Sequence, residues 1–397
     1  MKDAFDILVV GGGMVGLATT ALLTADERLR VTLVDAGEKP VFDNGGDVSL
    51  RVSAIAPGSV DILSTTGAWP EIAAARVCPY RDMKVWDAAG VVDGPETLSF
   101  DAAEFALPQL GFIVENLLIQ HALLNSPATT TADLRFATPI AGVNRVGNRF
   151  AVELESGEQL SPDLLIGADG VRSAVRQGAG IPVRSWPHAQ KALVACLHTE
   201  LDHQNRAWQR FLRSGPIGIL PLADGRVSIV WSTTPDDAEA ALAMTDNALG
   251  ELLTDITDGV LGQLTPSGPR GAFPLRSQHA VTYVQEGLAL VGDAAHTVHP
   301  LAGQGVNLGF ADAAALAATI TGALDADEHP GDLPTLRRYE RARMGANKTM
   351  LRFVDGLNRL FSNQSGSLAR LRGAGMYLFN RSGLIRDHAV RTALGLR

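Results

Sequence analysis

The first forty residues place a short apolar run, a glycine motif and a second apolar run in the order of a β-α-β unit. Ile7 to Val10 is continuously apolar, and Gly11 to Gly16 has the form G-x-G-x-x-G. A helical pattern follows over residues 17–23, and a second apolar run over residues 31–34 ends at Asp35. This order restricts the N-terminal part to a parallel sheet whose strands are joined by helices.

The same motif predicts a binding site for an adenine dinucleotide. Gly11 makes the tight turn, Gly13 lets the backbone approach a pyrophosphate, and Gly16 lets the helix pack closely on the strand. Asp35 is placed to accept hydrogen bonds from the adenosine ribose. A glycine turn with a purely structural role is the alternative. The residues predicted to bind the dinucleotide here are Gly11, Gly13, Met14, Val15, Gly16 and Asp35.

A second glycine-rich segment, from Gly287 to Gly309, has the same design. The apolar run Leu288 to Val291 passes into Gly292-Asp293, and a loop ending in Gly303-Gln304-Gly305 leads into an alanine-rich helical run. The N-terminus of such a helix presents unpaired backbone N–H groups and partial positive charge. It therefore suits a ligand that is anionic, or that becomes anionic during its reaction.

A third apolar run ends in the same way. Residues 163–167 lead into Ala168-Asp169-Gly170, and Ser173 begins a helix. Three buried strands thus end on an acid, at Asp35, Asp169 and Asp293. We expect the three acids to lie around one shared ligand.

The composition indicates a globular chain without a disulfide framework. Apolar residues make up 46% and charged residues 19% of the 397, and the two cysteines are Cys78 and Cys196. The acidic N-terminus does not resemble a signal peptide, and no apolar run reaches the roughly 20 residues that span a bilayer. We expect a cytoplasmic protein.

The middle of the chain has the pattern of an antiparallel sheet. Residues 182–283 contain longer strands with β-branched and aromatic residues, interrupted by a helical insert over residues 236–253. Residues 134–160 indicate a strand meander, residues 112–124 a helix, and residues 336–361 and 367–396 C-terminal helices. We predict an α/β protein with a Rossmann-like domain and an inserted antiparallel sheet. The predicted FAD-binding domain comprises 1–75, 100–181 and 285–345, the substrate-binding sheet 76–99 and 182–284, and the C-terminal helical basic region 346–397.

The glycine and acid motifs, taken together, resemble those of the para-hydroxybenzoate-hydroxylase-like flavoprotein monooxygenases. Two runs, residues 292–309 and 207–222, are similar to the aromatic-ring hydroxylases of ubiquinone biosynthesis, the group of UbiH, UbiF, UbiI and VisC. The resemblance covers roughly residues 5 to 360. Two departures are Asp35 where the family usually has Glu, and Ala189-Gln190 where a Tyr-Gln pair is common.

The resemblance implies FAD as the cofactor and assigns roles to further residues. Arg51 would line the flavin and pyrophosphate, although the local sequence alone favours a solvated arginine. Asp293 would bind the ribityl chain, and the loop from Pro300 to Gly305 would lie along the isoalloxazine. The additional cofactor-binding residues that it implies are Arg51, Asn116, Asp169, Gly170, Gly292, Asp293, Pro300, Gly303, Gly305, Val306 and Asn307. The catalytic residues that it implies are Pro300, Gly303, Gln304 and Gly305.

The activity that the resemblance implies is hydroxylation of the aromatic ring of a polyprenyl phenol or quinol by a flavin C4a-hydroperoxide. The apolar sheet residues Phe211, Leu220, Pro221 and Trp231 are the candidates for substrate contact, an ordinary core role being the alternative. No second dinucleotide fingerprint is visible, so NAD(P)H would dock transiently or another donor would supply electrons. A flavin dehydrogenase or reductase of the same fold and a flavin-binding assembly subunit are the rival functions.

Two further classes of site are not favoured by the sequence. His296 and His299 have the i, i+3 spacing of metal ligands but no third ligand nearby, so we expect no metal. The chain has no Gly-x-Ser-x-Gly nucleophile elbow. We also expect no nucleic-acid partner.

Charge is unevenly distributed along the chain. Residues 337–397 contain 13 Lys+Arg against 3 Asp+Glu, whereas the whole chain has a net charge of −9. Apolar and arginine residues alternate in the last thirty positions. The interpretations are a basic amphipathic helix on an anionic membrane, a surface for partners in a biosynthetic complex, and a C-terminal helix packed on its own domain.

Overall fold

The computed structural model describes residues 4–299, 303–361 and 375–395. These residues form a mixed α/β structure with parallel and antiparallel sheets, as the sequence predicts. The strands, in chain order, are β1 (Phe5–Val10), β2 (Leu29–Val34), β3 (Val52–Ile55), β4 (Val77–Tyr80), β5 (Asp82–Asp87), β6 (Leu98–Asp101), β7 (Gly111–Glu115), β8 (Asp133–Arg135), β9 (Ile140–Val146), β10 (Arg149–Leu154), β11 (Gln159–Leu160), β12 (Leu164–Gly167), β13 (Val183–Thr199), β14 (Arg206–Leu212), β15 (Gly215–Pro221), β16 (Val227–Thr233), β17 (Leu264–Ala280), β18 (Val284–Gln285), β19 (Leu288–Leu290) and β20 (His296–Thr297).

Helices connect and cover these strands. They are α1 (Met14–Leu23), α2 (Pro57–Thr65), α3 (Trp69–Ala74), α4 (Asn116–Asn125), α5 (Ala174–Gly178), α6 (Pro235–Ala243), α7 (Asp246–Ile256), α8 (Gln304–Asp325), α9 (Leu333–Phe361), α10 (375–380) and α11 (Leu384–Ala393). Short 3-10 turns lie at Ala102–Phe105, Pro127–Thr129 and Gly292–Ala294.

The first layer is a six-stranded sheet in the order β18-β19-β12-β1-β2-β8. Five of its strands are parallel, and the edge strand β18 is antiparallel to β19. Because parallel strands are buried on both faces, β12 and the Ile7–Val10 part of β1 are continuously apolar rather than alternating. Helices α1 and α8 cover this sheet, and the shared core is the largest in the protein.

The second layer is an eight-stranded sheet in the order β20-β17-β13-β16-β15-β14-β5-β6. Its two 17-residue strands, β13 and β17, pair antiparallel along most of their length. A small sheet of β3, β7 and β4 lies between this sheet and α8, and β9 to β11 form the predicted meander. The division into domains remains a prediction; by pairing, β5 and β6 belong with β14, and β4 belongs with β7.

Three local predictions were wrong. Residues 112–115 belong to β7 rather than to a helix, because their backbone pairs with β3 on one side and with β4 on the other, and the helix begins only at Asn116. The insert over residues 236–253 is two helices, each with a threonine N-cap, rather than one. The strand around Leu134 joins the parallel sheet beside β2 instead of the meander.

Helix α8 is apolar and long enough to span a membrane by length and composition, the one such helix among the described residues. Its position in the fold indicates a core helix. Phe310, Leu316 and Ile320 are fully buried, and burial of each contributes about 1.5–3 kcal/mol. Asp312, on the same helix, is ion-paired inside the protein.

Candidate active site

The three acids that end the strands lie along one edge of the parallel sheet. Strands β19, β12, β1 and β2 are neighbours in that order, so their carboxyl ends are adjacent. Asp293 follows β19, Asp169 follows β12, and Asp35 follows β2. With strands about 4.8 Å apart, the row extends about 14 Å. This edge is where open α/β sheets bind extended ligands.

The three glycines of the first motif differ in what surrounds them. A Cβ on Gly16 would lie 1.8 Å from the carbonyl oxygen of Gly11, and one on Gly11 would lie 2.4 Å from that of Ala168. A Cβ on Gly13 would meet no protein atom within 4 Å. Gly11 and Gly16 are therefore required for packing between protein segments, whereas Gly13 borders open space at the N-terminus of α1.

Helix α1 begins at that open space without a side-chain cap. Gly13 is its N-cap residue, and Met14 and Val15 form its first turn. The backbone N–H groups of this turn have no intrahelical partner. The side chain of Val15 packs under Gly292 and Gly309, so the first turn of α1 contacts both the β19 turn and α8.

Asp35 and Asp169 are each held by backbone amides. Asp35 accepts hydrogen bonds from the N–H groups of Gly12 (2.5 Å) and Gly37 (2.6 Å), and its oxygens retain lone pairs for hydroxyl groups. Asp169 accepts from the Val175 N–H at 3.0 Å, while its other oxygen is buried without a partner. Burial raises the pKa of Asp169, although hydrogen bonds from the α5 turn oppose the shift. Gly170 follows with a φ of +77° and no protein atom near its Cβ position.

Asp293 lines a deep cleft. Its side chain is exposed, yet desolvation by the surrounding protein raises its pKa, with His296 and Arg51 acting in the opposite direction. The exposed Arg51 guanidinium makes no hydrogen bond to the described residues. Asn116 accepts from Ser53 Oγ at 2.7 Å. A cation and a carboxylate thus face the same cleft.

The second glycine loop ends in a helix N-terminus without a side-chain cap. Gly303 has a φ of +61°, and its Cβ position is 3.1 Å from the Ala54 methyl group. Gln304, Gly305 and Val306 form the first turn of α8. Pro300, which the resemblance assigns to the cofactor and to catalysis, lies outside the described residues.

Asn307 holds this turn in place. Its Oδ1 accepts from the Ala56 N–H (3.0 Å) and Ser59 Oγ (2.7 Å), and its Nδ2 donates to the carbonyl oxygens of Ala54 (2.9 Å) and Gly303 (3.2 Å). These four bonds use the whole capacity of the amide. Asn307 can therefore affect a ligand only through the position of the α8 turn.

Asp312, which the sequence analysis did not select, is the centre of a buried polar network. Its carboxylate accepts from His296 Nε2 (2.5 Å), Arg343 Nε (2.7 Å), Asn347 Nδ2 (3.0 Å) and the Gly292 N–H (3.2 Å). Burial acts to raise its pKa, but His296, Arg343 and Asn347 outweigh it and keep the pKa below the usual range. The network ties the turn that carries Asp293 to α8 and α9. An acid within an alanine-rich buried helix was the sequence signal for it.

Two buried histidines are expected to make folding stability depend on pH. Burial first, then nearby Lys348 and His296, lowers the pKa of His279 to about 4, and burial with His188 lowers that of His299 to about 3. An unfolded histidine has a pKa near 6.5. Between about pH 6.5 and 4 the unfolded chain therefore binds more protons, and stability falls as the pH falls.

The protonation of His279 in the unfolded chain alone should lower the free energy of unfolding by about 2 kcal/mol between pH 7 and pH 5. Urea unfolding at both pH values, on the wild type and the His279→Gln variant, measures it. The variant should lose about 2 kcal/mol less than the wild type. An equal loss in both proteins would mean that His279 does not resist protonation in the folded state.

The two faces of the eight-stranded sheet have different environments. One face packs under α6 and α7 and carries Leu193, Ile217, Ile229 and Trp231, all buried. We call it the helix-covered face. Side chains at alternate positions point the opposite way, toward β3 and α9. That second face is called the cleft face below.

The cleft face is covered at both ends and open between them. At one end Cys196 and Leu222 pack with Cys78 and Ile113 of the small sheet. At the other end Phe211 stacks on Phe361 of α9, with ring centroids 3.9 Å apart. Between them, residues in central strands remain partly accessible. They are Val230 and Gly218, with the exposed Phe273 beside Ala192. Leu220 is also partly accessible and lies at the edge of the small-sheet cluster.

These central positions form an apolar floor. Val194 pairs with Val230, and Val230 pairs with Gly218, so the three lie in one row across three strands. Partial exposure in the middle of an eight-stranded sheet indicates a cleft rather than a packed interface.

The four proposed substrate residues do not lie together. Leu220 is on the cleft face against the small-sheet cluster, Phe211 is covered by α9, and Trp231 and Pro221 are on the helix-covered face. Alternation along strands was visible in the sequence, but which face is open depends on helices far away in the chain.

The arrangement fits FAD. Two uncapped helix N-termini, at α1 and α8, supply amides for anionic groups. Asp35 would supply acceptors for ribose hydroxyls, Gly13 leaves room at the first turn, and Asp293 faces the cleft that Arg51 also faces. The row of acids runs along the sheet edge at which open α/β sheets bind extended ligands.

Comparison with known proteins agrees with this fit. The family model described as an FAD binding domain matches residues 4–354. The chain is 39% identical to Escherichia coli 3-demethoxyubiquinol 3-hydroxylase, over 98% of each chain. It is 35% identical to the human mitochondrial ubiquinone biosynthesis monooxygenase COQ6, over 98% of this chain and 92% of that one. The crystal structure of Pseudomonas aeruginosa PqsL with 2-aminobenzoylacetate has the same fold, with a TM-score of 0.78 and 22% identity over 94% and 100% of the two chains.

Proposed function

The chain belongs to the FAD-binding-domain family of flavoprotein monooxygenases, and we propose that it hydroxylates the aromatic ring of a polyprenyl phenol or quinol in ubiquinone biosynthesis. The observation that carries the proposal is the apolar floor on the cleft face, whose strand β13 also meets His299 through Gln190. This floor offers an apolar surface to an aromatic substrate. When bound, FAD supplies the redox chemistry and the activation of O2 that ring hydroxylation requires.

The protein holds the cofactor and the substrate in position, stabilises negative charge near α8 and keeps water out of the cleft. Free amides in the first turn of α8 and the helix dipole stabilise negative charge on the group bound there. Asn307 fixes this turn against β3 and α2 by its four hydrogen bonds. The Asp312 network fixes the turn that carries Asp293. Val194, Val230 and Leu220 keep the substrate side of the cleft apolar and limit water.

Product analysis tests this function. The purified protein with FAD, an electron donor and a prenylated phenol should form a product heavier by one oxygen atom. Under 18O2 that atom should carry the label. A deletion strain should accumulate one lipid intermediate, whose mass identifies the ring position.

The rival functions give different results in the same experiments. Reduction of a quinone without incorporation of oxygen would indicate a dehydrogenase. Rescue of the deletion strain by a Gly303→Val/Gly305→Val protein that binds no FAD would indicate an assembly subunit. The electron donor, NAD(P)H or another, is identified by which one reduces the bound flavin.

The lipophilic substrate leads to a proposal about the membrane. The C-terminal helices carry exposed apolar side chains next to arginines, and an anionic lipid surface fits both. Phe353 and Leu360 are 56% and 38% exposed and lie seven residues apart on α9, and Tyr377 and Leu378 of α10 are 40% and 66% exposed. Met376 of α10 packs with Val354 and Phe361 of α9, so the two helices share one corner.

Vesicle flotation tests this surface. Phe353→Ser/Leu378→Ser should reduce binding to vesicles of 30% phosphatidylserine about tenfold or more, because two large apolar groups are lost. Val41→Ser is the matched control, since Val41 is 78% exposed on a loop elsewhere. Equal binding by both variants, or none by the wild type, would contradict the proposal. The proposal includes a cytoplasmic location for the protein, with peripheral attachment to the membrane through this surface.

A further inference from the structure

A cluster of buried polar side chains lies where the cleft face meets α9 and plays no part in the sites described above. His299 contacts two residues of β13, His188 and Gln190. Helix α9 adds Asp355, which lies beside His188, and Asn358, which is hydrogen-bonded to Gln190. Gln190, His299 and Asn358 are 9%, 1% and 5% exposed. Burying so many polar groups is costly unless their bonds are satisfied or used by a ligand.

The backbone at the cluster is strained. Ala189, between His188 and Gln190, has a φ of +50°, and the pairing of β13 with β17 shifts register from Pro187 to Lys191. A positive φ is unfavourable for a residue with a Cβ. Such strain occurs most often where side chains are held for function.

Gln190 has a defined orientation. Its Nε2 donates to the carbonyl oxygen of Ser214 at 2.6 Å, so Nε2 must be the nitrogen. Its Oε1 accepts from Asn358 Nδ2 at 3.2 Å. The same Oε1 lies 3.3 Å from His299 Nε2. Because a carbonyl oxygen only accepts, His299 must carry its proton on Nε2.

The second nitrogen of His299 is consequently an acceptor without a partner. Nδ1 is buried and makes no hydrogen bond to the described part of the chain. Burial lowers the pKa of His299 to about 3, so the ring is neutral at physiological pH and the lone pair on Nδ1 remains available. Such a weak base cannot remove a phenol proton, but it can accept a hydrogen bond from one.

The rest of the cluster supports the ring from its other side. The rings of His188 and His299 meet edge to face, with centroids 4.9 Å apart. His188 Nε2 lies 2.7 Å from Ser277 Oγ, which donates to Asp355 Oδ1 at 3.0 Å. Trp186 Nε1 also donates to Asp355, at 2.5 Å. The histidine pair is thereby anchored to α9.

His299 lies close to the apolar floor. Gln190 and Ala192 are two residues apart on β13, so their side chains point to the same face about 7 Å apart. Ala192 pairs with the exposed Phe273. The end of the floor next to Gln190 and α9 is therefore polar, whereas the rest is apolar.

We propose that His299 Nδ1 accepts a hydrogen bond from the hydroxyl group of the aromatic substrate, and that Gln190 and Asn358 are positioning residues that hold His299 in the required tautomer. The inference rests on the proposed function for the class of substrate. It adds the residue that recognises the hydroxyl group and thereby orients the ring. A substrate without that hydroxyl would leave the buried acceptor unsatisfied and bind more weakly.

Ligand binding to the FAD-loaded protein, without an electron donor, tests this directly. The probes are 2-geranylphenol and its methyl ether, and the change in flavin absorbance gives the Kd of each without turnover. The wild type should bind the phenol about tenfold more tightly than the ether, which is the usual size for a buried hydrogen bond of this kind. In the His299→Leu variant the two Kd values should become equal.

Three further variants distinguish recognition from simple packing. His299→Asn keeps an acceptor at the Nδ1 position and should restore most of the preference. Gln190→Leu releases the tautomer and should reduce the preference to about threefold. Val230→Ala alters the floor alone, so both ligands should weaken while their ratio stays near ten.

Several outcomes would overturn the proposal. One is a wild type that binds the phenol and its methyl ether with nearly equal Kd values. Another is a His299→Leu variant in which the ratio of the two Kd values is the same as in the wild type. A change in FAD affinity with no change in the ratio would place the acceptor on the cofactor instead. If His299→Leu does not fold, His299→Asn and Gln190→Leu decide the question by themselves. Because no turnover is involved, a failure to hydroxylate would count against the proposed function and leave the binding result interpretable.

Discussion

Replacing Gly16 by alanine is expected to destabilise the protein by about 3 kcal/mol or more, a large part of the stability of a typical domain. The added Cβ would lie 1.8 Å from the carbonyl oxygen of Gly11, which is backbone and cannot rotate away. Helix α1 would have to move off β1, which disturbs the core that both share with α8. Urea unfolding monitored by circular dichroism measures the loss.

Gly13→Ala is the matched control within the same motif. Its Cβ would meet no protein atom, and its φ of −71° is allowed for alanine. The variant should unfold at the wild-type urea concentration. Its affinity for FAD should nevertheless fall about tenfold or more, because the methyl group occupies the space where a pyrophosphate approaches. Unchanged FAD affinity in Gly13→Ala would contradict the assignment of this turn to the cofactor.

Replacing Asp312 by asparagine should lower the free energy of unfolding by about 3–5 kcal/mol, since it leaves the Arg343 guanidinium inside the protein without its carboxylate. Asp312 is fully buried and pairs with His296 and Arg343. The variant should also bind FAD more weakly, because the carboxylate holds the Gly292 amide beside Asp293. Urea unfolding and FAD titration give the two values.

Asp325→Asn provides the comparison on the same helix. Asp325 pairs with Arg28 at 2.9 Å, but both side chains are exposed, so the loss should stay below about 1 kcal/mol. If Asp312→Asn lowers the free energy of unfolding as little as Asp325→Asn does, the buried network does not stabilise the protein.

Much of the candidate cofactor site could be proposed from local sequence. A strand, a glycine turn and a helix are contiguous in the chain, so Gly11, Gly13 and Asp35 could be recognised without knowledge of the fold. Asp293 could be recognised because it repeats that pattern. The parallel sheet then brings these strand ends to one edge, since parallel strands end on the same side.

The substrate side was predicted less well, because its residues come from distant segments. Trp231 and Leu220 have similar sequence surroundings but lie on opposite faces of the sheet. Helices α6 and α7 cover one face and α9 covers part of the other, and no local pattern states which helix packs where. Gln190 and His299 are 109 residues apart and meet only through the pairing of β13, β17 and β20.

The amino-acid sequence by itself determined the βαβ unit, the two glycine-rich helix starts and the class of cofactor, because each depends on backbone conformation within a few consecutive residues. Tertiary structure alone decided which sheet face is open, that Asp312 holds the flavin-side turn, and that His299 has an unpaired acceptor. These properties depend on burial and on hydrogen-bond partners from other segments, which arise only when the chain is packed.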